Sequence, residues 1–280
     1  MESDHPSRHQ LASNIEVIGE LPPDHEGYDV SDTELISALS IAESRHFWHL
    51  SRNEFIAARL RKAGAKPGST FLELGCGGGV VAAALAAEGY EVTGVDGHLP
   101  RVAEAAQRAP AARFIVKDLR LGLDGLGSGY DSVGLFDVIE HLDDPKDVLQ
   151  SAAALLKPGG LLVGTVPALM SLWSEVDVVS GHRLRFDLRG LRDLLSQVTG
   201  TETIEVKYFN RLLVAPMWVV RRKATAGDTK DTIIRQLTPP RPWINATALA
   251  AFRAERRSGP VLDAARIPGS SLWFVTRCKG

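Results

Sequence analysis

The sequence predicts an α/β fold, a doubly wound sheet of seven strands. Three observations predict it. Short apolar runs rich in β-branched and aromatic residues alternate with helical patterns, the order of repeated βαβ units. The run at Thr70, Phe71 and Leu72 leads into a glycine-rich segment, and Ala82 to Ala87 beyond it have strong helix propensity, which puts the glycines at a strand-to-helix turn. The next strand, Glu91 to Val95, ends at the acid Asp96.

That unit has the parts of a nucleoside site. Gly75 and Gly77 adopt backbone conformations closed to other residues and let a ligand approach the main chain, where the free N–H groups of a new helix point. Asp96 suits both hydroxyls of a ribose. A dinucleotide fingerprint wants glycine at the position of Val80, and Glu73 before the turn repels a pyrophosphate but helps hold an ammonium or a sulfonium-bearing amino acid. The run Glu73-Leu74-Gly75-Cys76-Gly77-Gly78-Gly79 resembles the first motif of class I S-adenosylmethionine-dependent methyltransferases. The resemblance implies a Rossmann-like sheet with an antiparallel last strand, S-adenosylmethionine as cofactor, and a cofactor site that includes Glu73, Gly75, Cys76, Gly77, Asp96 and Gly97.

Residues 1–33 mix prolines, glycines and charge without a period, as expected of a loose arm. From Asp32 the apolar spacing Leu35, Ile36, Leu39, Ala42 predicts a helix, and a second follows to about Ala63, so residues 34–66 read as a helical lid over a domain at 67–280. The His46-Phe47-Trp48 and Arg52-Asn53 segment is similar to one preceding the glycine motif in a bacterial small-molecule branch of the family. It implies that Trp48 covers the cofactor and that Arg52 meets its carboxylate.

Leu99 to Gln107 predicts a helix and Arg113 to Val116 a third strand, after which the family places an acid for the adenine amino group, here Asp118 with Leu119. Tyr130 to Asp137 is the fourth strand, and its continuation Asp137-Val138-Ile139-Glu140-His141 resembles the family's D-V-x-E-H segment. Strand ends on this edge line the ligand crevice, which puts Phe136, Asp137 and Val138 beside the cofactor and His141 toward the acceptor.

Asp144-Pro145 starts a helix through Leu156, and Lys157-Pro158-Gly159-Gly160 turns the chain into a fifth strand, Leu161 to Val166. The polar and aromatic run from Trp173 to Phe186 is similar to a segment lying over the crevice in this branch. It makes Trp173, Arg183, Arg185 and Phe186 candidates for substrate binding. Leu188 to Val198 is an amphipathic helix, and Thr203 to Tyr208 and Ser271 to Arg277 are the last strands. Between them lies a helical insertion at about 209–268. Its apolar stretch 209–220 leaves open packing on the core, contact with a second copy in a homodimer, or contact with a membrane surface. A polar loop, Thr225 to Pro242, and a helix from about Asn245 to Arg257 complete it.

Of 280 residues 44% are apolar, ordinary for a globular protein, and no stretch has the length of a membrane span. The N-terminus lacks an apolar signal core, and Cys76 and Cys278 have no disulfide or metal spacing, so a cytoplasmic protein without a metal is expected. Net charge is −2, but residues 1–206 hold 18 Lys and Arg against 30 Asp and Glu, and 207–280 hold 14 against 4. Such asymmetry suits either an anionic partner or a basic tail packed beside an acidic body. No recognised RNA-binding module is present, and Asp137 to Glu140 is unlike the pattern of nucleic-acid amino-methylating enzymes, so no specific nucleic-acid partner is expected.

The function expected is methyl transfer to a small-molecule acceptor, at a hydroxyl or carboxyl oxygen in a biosynthetic pathway. His141 and His182 are the candidate bases. Two alternatives stand beside it: an NAD-dependent oxidoreductase, and a methyltransferase-like binding subunit without turnover.

Overall fold

The computed structural model describes residues 12–19, 33–223, 234–235 and 237–279. Its sheet has eight strands in the order β1-β4-β3-β2-β5-β6-β8-β7: Ile15–Val17 (β1), Thr70–Leu74 (β2), Glu91–Asp96 (β3), Arg113–Val116 (β4), Tyr130–Phe136 (β5), Leu156–Pro167 (β6), Thr201–Phe209 (β7) and Ser271–Cys278 (β8). All neighbours are parallel except β8, which runs antiparallel to both β6 and β7. The sheet thus exceeds the expected seven strands by one. The extra strand, β1, lies inside the expected loose arm and pairs Ile15, Glu16 and Val17 with Phe114, Ile115 and Val116. Three residues show no sequence period, so an edge strand of this length is set by its neighbour rather than by its own pattern. The rest of that arm, 1–11 and 20–32, lies outside the described residues.

Strand side chains alternate between two cores, as a sheet covered on both faces requires. Phe71, Val92, Phe114, Val163 and Trp273 face one core with α2 (Phe47–Ala63), α3 (Val80–Ala87) and α4 (Leu99–Arg108). Leu72, Val95, Leu135, Leu162 and Phe274 face the other, with α5 (Pro145–Ala154) and α7 (Leu188–Ser196). The Lys157 to Gly160 run, expected as a turn, falls within the β6 span. It forms an irregularity there: Gly159 has φ +80° and the pairing with β5 shifts register between Tyr130 and Ser132.

The region expected as a lid forms two helices, α1 (Thr33–Arg45) and α2, with His46 between them as N-cap of α2, its Nδ1 accepting from Trp48 N at 3.2 Å. Glu43 of α1 pairs with Arg101 of α4 at 2.5 Å. Asn245 accepts from Phe47 N at 2.8 Å and donates to Arg45 O at 2.9 Å, which ties the lid to α9 (Pro242–Arg257). Within the apolar stretch 209–220, α8 (Val214–Lys223) touches the body, where Arg221 donates to Leu172 O at 2.7 Å, while Trp218, Val219 and Val220 stay exposed. Residues 225–233 and 236 of the expected polar loop lie outside the described residues. A short α6 (Glu175–Val179) precedes α7, and α10 (Gly259–Ala264) precedes β8.

Candidate functional site

The strand order reverses direction between β2 and β5, and the carboxyl ends of these two strands open a crevice at that switch point. Leu74 of β2 pairs with Val95 of β3, so Gly75 and Asp96 leave the sheet side by side. Gly75 N and Cys76 N both donate to Val95 O, at 2.7 and 3.0 Å, and Gly77 N donates to Asp96 Oδ2 at 2.9 Å. The turn is thereby locked to the acid. Gly75 has φ +76°, and a Cβ there would meet Val138 Cγ2 at 2.4 Å, so this position needs glycine for conformation and for space.

A cavity of about 560 Å³ lies over this turn. Glu73 lines its floor from inside β2, 2% exposed, with Oε2 lacking a partner. Burial pushes its carboxyl up to about 8, against the pull of Arg52 and with the help of Asp96. A ligand cation seated there would restore the ionised form. Across the floor Arg52 of α2 pairs with Asp137 at 2.6 Å, and its guanidinium lies 5.8 Å from the Trp48 ring centre and 5.9 Å from that of Phe136. Arg52 Nε is buried without a partner. Asp137 adopts φ 58° directly after β5, a left-handed conformation costing on the order of 1–3 kcal/mol, and its N–H still bonds Thr165 O at 2.9 Å.

At the other end of the cavity a 3-10 turn, Ile139–His141, presents Glu140 and His141, and the loop after α6 presents His182. The loop and the turn are joined by Arg183 N donating to Glu140 O at 2.7 Å. The two imidazoles meet edge to face with centres 4.8 Å apart. His141 Nδ1 lies 3.3 Å from Gly181 O, and His182 Nδ1 lies 3.0 Å from Asp177 Oδ1. Burial, then the neighbouring His182, lowers His141 to about 4, so its ring is neutral. Glu140 is completely buried and neither carboxyl oxygen has a partner among the described residues; burial, then Asp137, pushes its carboxyl well above the usual range. Donor atoms of Glu140, His141 and His182 all lie within 4.8 Å of one another.

Behind them sits Asp177, wholly buried, bonded by His182, by Arg185 at 2.8 Å and by Arg221 of α8. Burial alone would raise this carboxyl; the hydrogen bonds of His182 and Arg185 and the charges of Arg185 and Arg221 outweigh it and hold the group well below the carboxylate range.

Of the residues the sequence singled out, the cavity gathers Trp48, Arg52, Glu73, Gly75, Cys76, Gly77, Phe136, Asp137, His141, His182 and Arg185. Asp96 stands behind the glycine turn and Val138 packs on Gly75, and neither they nor Gly97 line the cavity. Asp118 caps the turn that begins at Leu119 and is clasped by Arg120 at 2.8 Å, so an adenine amino group would have to displace a half-exposed arginine. The structure does not bring Trp173, Arg183 or Phe186 to the cavity. Phe186 is in the core, and Arg183 reaches out to Asp143 at 3.2 Å. Arg185 reaches the wall, but its guanidinium belongs to Asp177 and Ala168 O, because a buried arginine needs fixed partners.

Sequence reading missed Glu140 and the roof that Leu213, Pro216, Met217 and Val220 provide. Glu140 stands beside His141 in the quoted motif, and its burial was the missing fact. The roof is the apolar stretch 209–220, whose facing no period announced.

Comparison with known proteins bears on this geometry. A family model described as a methyltransferase domain matches residues 47–205, from the start of α2 into β7. The chain belongs to this methyltransferase family. The ubiquinone biosynthesis O-methyltransferase of Pectobacterium atrosepticum is 32% identical over 132 residues, 45% of this chain and 55% of that protein, so the match spans about half the length of the relative. Among solved structures, a sarcosine dimethylglycine methyltransferase from Galdieria sulphuraria aligns with TM-score 0.54 at 17% identity, over 82% of this chain and 86% of that one. The [4+2]-cyclase SpnF aligns with TM-score 0.56 at 15% identity, over 88% and 94%. At such identities the likeness establishes the fold, and the methyltransferase's chemistry must be argued from its site.

Proposed function

We propose that this methyltransferase moves a methyl group from S-adenosylmethionine to an oxygen of a small-molecule acceptor in a biosynthetic pathway. One observation carries the reading: across a single cavity, a buried carboxylate with an unbonded oxygen at the glycine turn faces a pair of imidazoles at the end of β5. The first end fits an amino acid carried on a nucleoside. Glu73 takes the ammonium, Arg52 takes the carboxylate through its unbonded Nε, and the Gly75 to Gly77 backbone lets the ligand approach. Asp96, bonded at one lone pair of each oxygen by Gly77 and His98, keeps capacity for a ribose. A buried carboxylate at the turn opposes a pyrophosphate, which weighs against the oxidoreductase.

When bound, the sulfonium supplies an activated methyl group whose transfer breaks the carbon–sulfur bond and leaves a neutral thioether. The chain's own work is to orient the acceptor, exclude water and activate its oxygen. His141 and His182 perform the activation, and Trp48 of the lid and Met217 of the roof keep the site dry. The roof is aliphatic, so the acceptor presents an apolar body to Leu213, Pro216 and Val220. The Pectobacterium relative is named for O-methylation, which favours oxygen as the acceptor atom. The basic C-terminal part is expected to bind no nucleic acid specifically, because several of its arginines already pair with carboxylates, as Arg253 does with Glu54 at 2.5 Å and Arg256 with the same carboxylate. No helix among the described residues is long and apolar enough to cross a membrane.

Calorimetric titration and an acceptor screen test the reading together. S-adenosylmethionine binds the native chain, and Asp96→Ala weakens it by about 1.5–3 kcal/mol, the loss of a charged hydrogen-bond partner. One acceptor gains about 14 Da, and His141→Gln lowers its turnover about a hundredfold with cofactor affinity kept. Tight NADH binding with no S-adenosylmethionine binding would overturn the proposal.

A further inference from the structure

Resting on the reading that His141 and His182 activate the acceptor, we propose that they do so with Glu140 as ligands of a first-row divalent cation, zinc, manganese or cobalt in class, on which the acceptor oxygen docks. Proximity comes first. Donor atoms of the three residues already lie within 4.8 Å of one another, whereas ligands at bonds of about 2.1 Å stand about 3.0–3.5 Å apart. The backbone link from Arg183 N to Glu140 O, 2.7 Å, keeps the loop that carries His182 against the turn that carries the other two.

Tautomers come second. A carbonyl only accepts, so the His141 Nδ1 that faces Gly181 O at 3.3 Å is the nitrogen that carries a proton. The Asp177 carboxylate places the proton on His182 Nδ1 in the same way. Each ring is left with its lone pair on Nε2. An imidazole whose other nitrogen donates to a carbonyl or a carboxylate is the arrangement of a metal-bound histidine, and here both have it. Asp177 is itself held by Arg185 and Arg221, so the carboxylate behind His182 is fixed before any ligand arrives.

Glu140 is the third and independent sign. It lines the cavity, is 0% exposed, and neither carboxyl oxygen has a hydrogen-bond partner among the described residues. The nearby guanidinium groups of Arg52 and Arg185 are engaged by Asp137 and Asp177. An ionised carboxylate in that position wants a cation, and a protonated one would need an acceptor for its O–H. A divalent ion answers the requirement. Two imidazoles to one carboxylate favour a first-row transition ion over magnesium or calcium, which prefer all-oxygen shells. Three protein ligands leave coordination positions for the acceptor. A hydroxyl bound there loses its proton to water at the cavity mouth, and its oxygen keeps the electron pair that forms the new bond to the methyl carbon.

The test reads the ion directly. The full chain, stripped with chelator, is dialysed against cobalt(II) or zinc(II) and the bound metal is counted, while S-adenosylmethionine affinity is measured separately by calorimetry. One equivalent per chain is expected. Both Glu140→Gln and His182→Ala should weaken it at least about tenfold with cofactor affinity unchanged within about twofold. His182 is on a loop and 17% exposed in its side chain, so its variant reports even where replacement of the buried Glu140 harms folding. No stoichiometric ion in the native chain, equal affinity in the variants, or undiminished methyl transfer in chelator would overturn the cation site, the last of these leaving the methyl-transfer reading intact. A site present and lost in both variants, with no acceptor methylated, would uphold the cation and sink the methyl transfer.

Discussion

At the scale of single residues, the site depends on conformations and charges that ordinary substitutions disturb in known directions. Gly75→Ala puts a Cβ into a left-handed residue and 2.4 Å from Val138 Cγ2. It is expected to cost on the order of 1–3 kcal/mol in stability and to abolish cofactor binding, read by denaturant unfolding and calorimetry. His46 gives a pH-dependent outcome. Burial lowers it to about 4 from an ordinary 6.5, and its neutral Nδ1 is what caps α2. A folded value below the unfolded one means that the unfolded chain takes up the proton first as pH falls. The stability is therefore present in full above about 6.5 and is lost progressively down to about 4. With a ring that is partly solvated, a loss of up to about 2 kcal/mol is reasonable. His46→Asn keeps a capping side chain that does not titrate, so comparing unfolding of the two chains at pH 6.5 and 4.5 isolates the effect. An equal acid loss in both would show that the histidine is not responsible.

At the scale of elements, α8 roofs the cavity and is tied to the wall behind the histidines through Arg221, which bonds Asp177 and Leu172 O. Arg221→Ala leaves Asp177 its other partners, His182, Arg185 and Ser174 N, so the expected stability loss is modest, about 1–2 kcal/mol. The expected kinetic signature is a raised Michaelis constant for the acceptor with cofactor affinity little changed. If turnover fell with the Michaelis constant untouched, the roof would be acting on the chemistry rather than on binding. These elements also show how far the sequence could be read. The seven longer strands, the lid and the glycine turn were legible, because each carries its own period or conformational demand. Glu73 and His141, singled out for their residue types beside strand ends, do line the cavity, and so does His182 from the loop after α6. Illegible were β1, three residues specified by the edge of β4, and the partition of the Trp173 to Phe186 run. That run reads as uniformly reactive in one dimension, yet Arg185 folds inward onto Asp177, Phe186 enters the core and only His182 offers a free ring edge to the cavity. Which member of a polar cluster is spent on its neighbours is decided by packing, and no spacing rule encodes it.

At the scale of the whole molecule, the cavity is a joint rather than a dent in one part. Its wall draws on the lid through Trp48 and Arg52, the first half of the sheet through Glu73 and Gly75, the second half through Phe136 and Pro167, and the insertion through Met217. A ligand that fills it therefore binds only the state in which all these parts are assembled, and its binding free energy adds to the stability of the entire fold. At a hundredfold excess over its dissociation constant, one bound ligand contributes about 2.7 kcal/mol. For a domain of this size each kcal/mol raises the melting temperature by about 2–4 °C, so S-adenosylhomocysteine at that excess is expected to raise it by about 5–10 °C. Glu73→Gln keeps the shape of the floor but removes the charge proposed to receive the ligand's ammonium, and it should stabilise the unliganded chain by relieving a buried carboxyl whose Oε2 has no partner among the described residues. The variant is thus expected to melt at or above the native temperature alone and to lose most of the ligand-dependent increase. A full shift in the variant would remove Glu73 from the ammonium site. An equal shift of the native chain by NADH would place a dinucleotide, not a sulfonium nucleoside, in the joint.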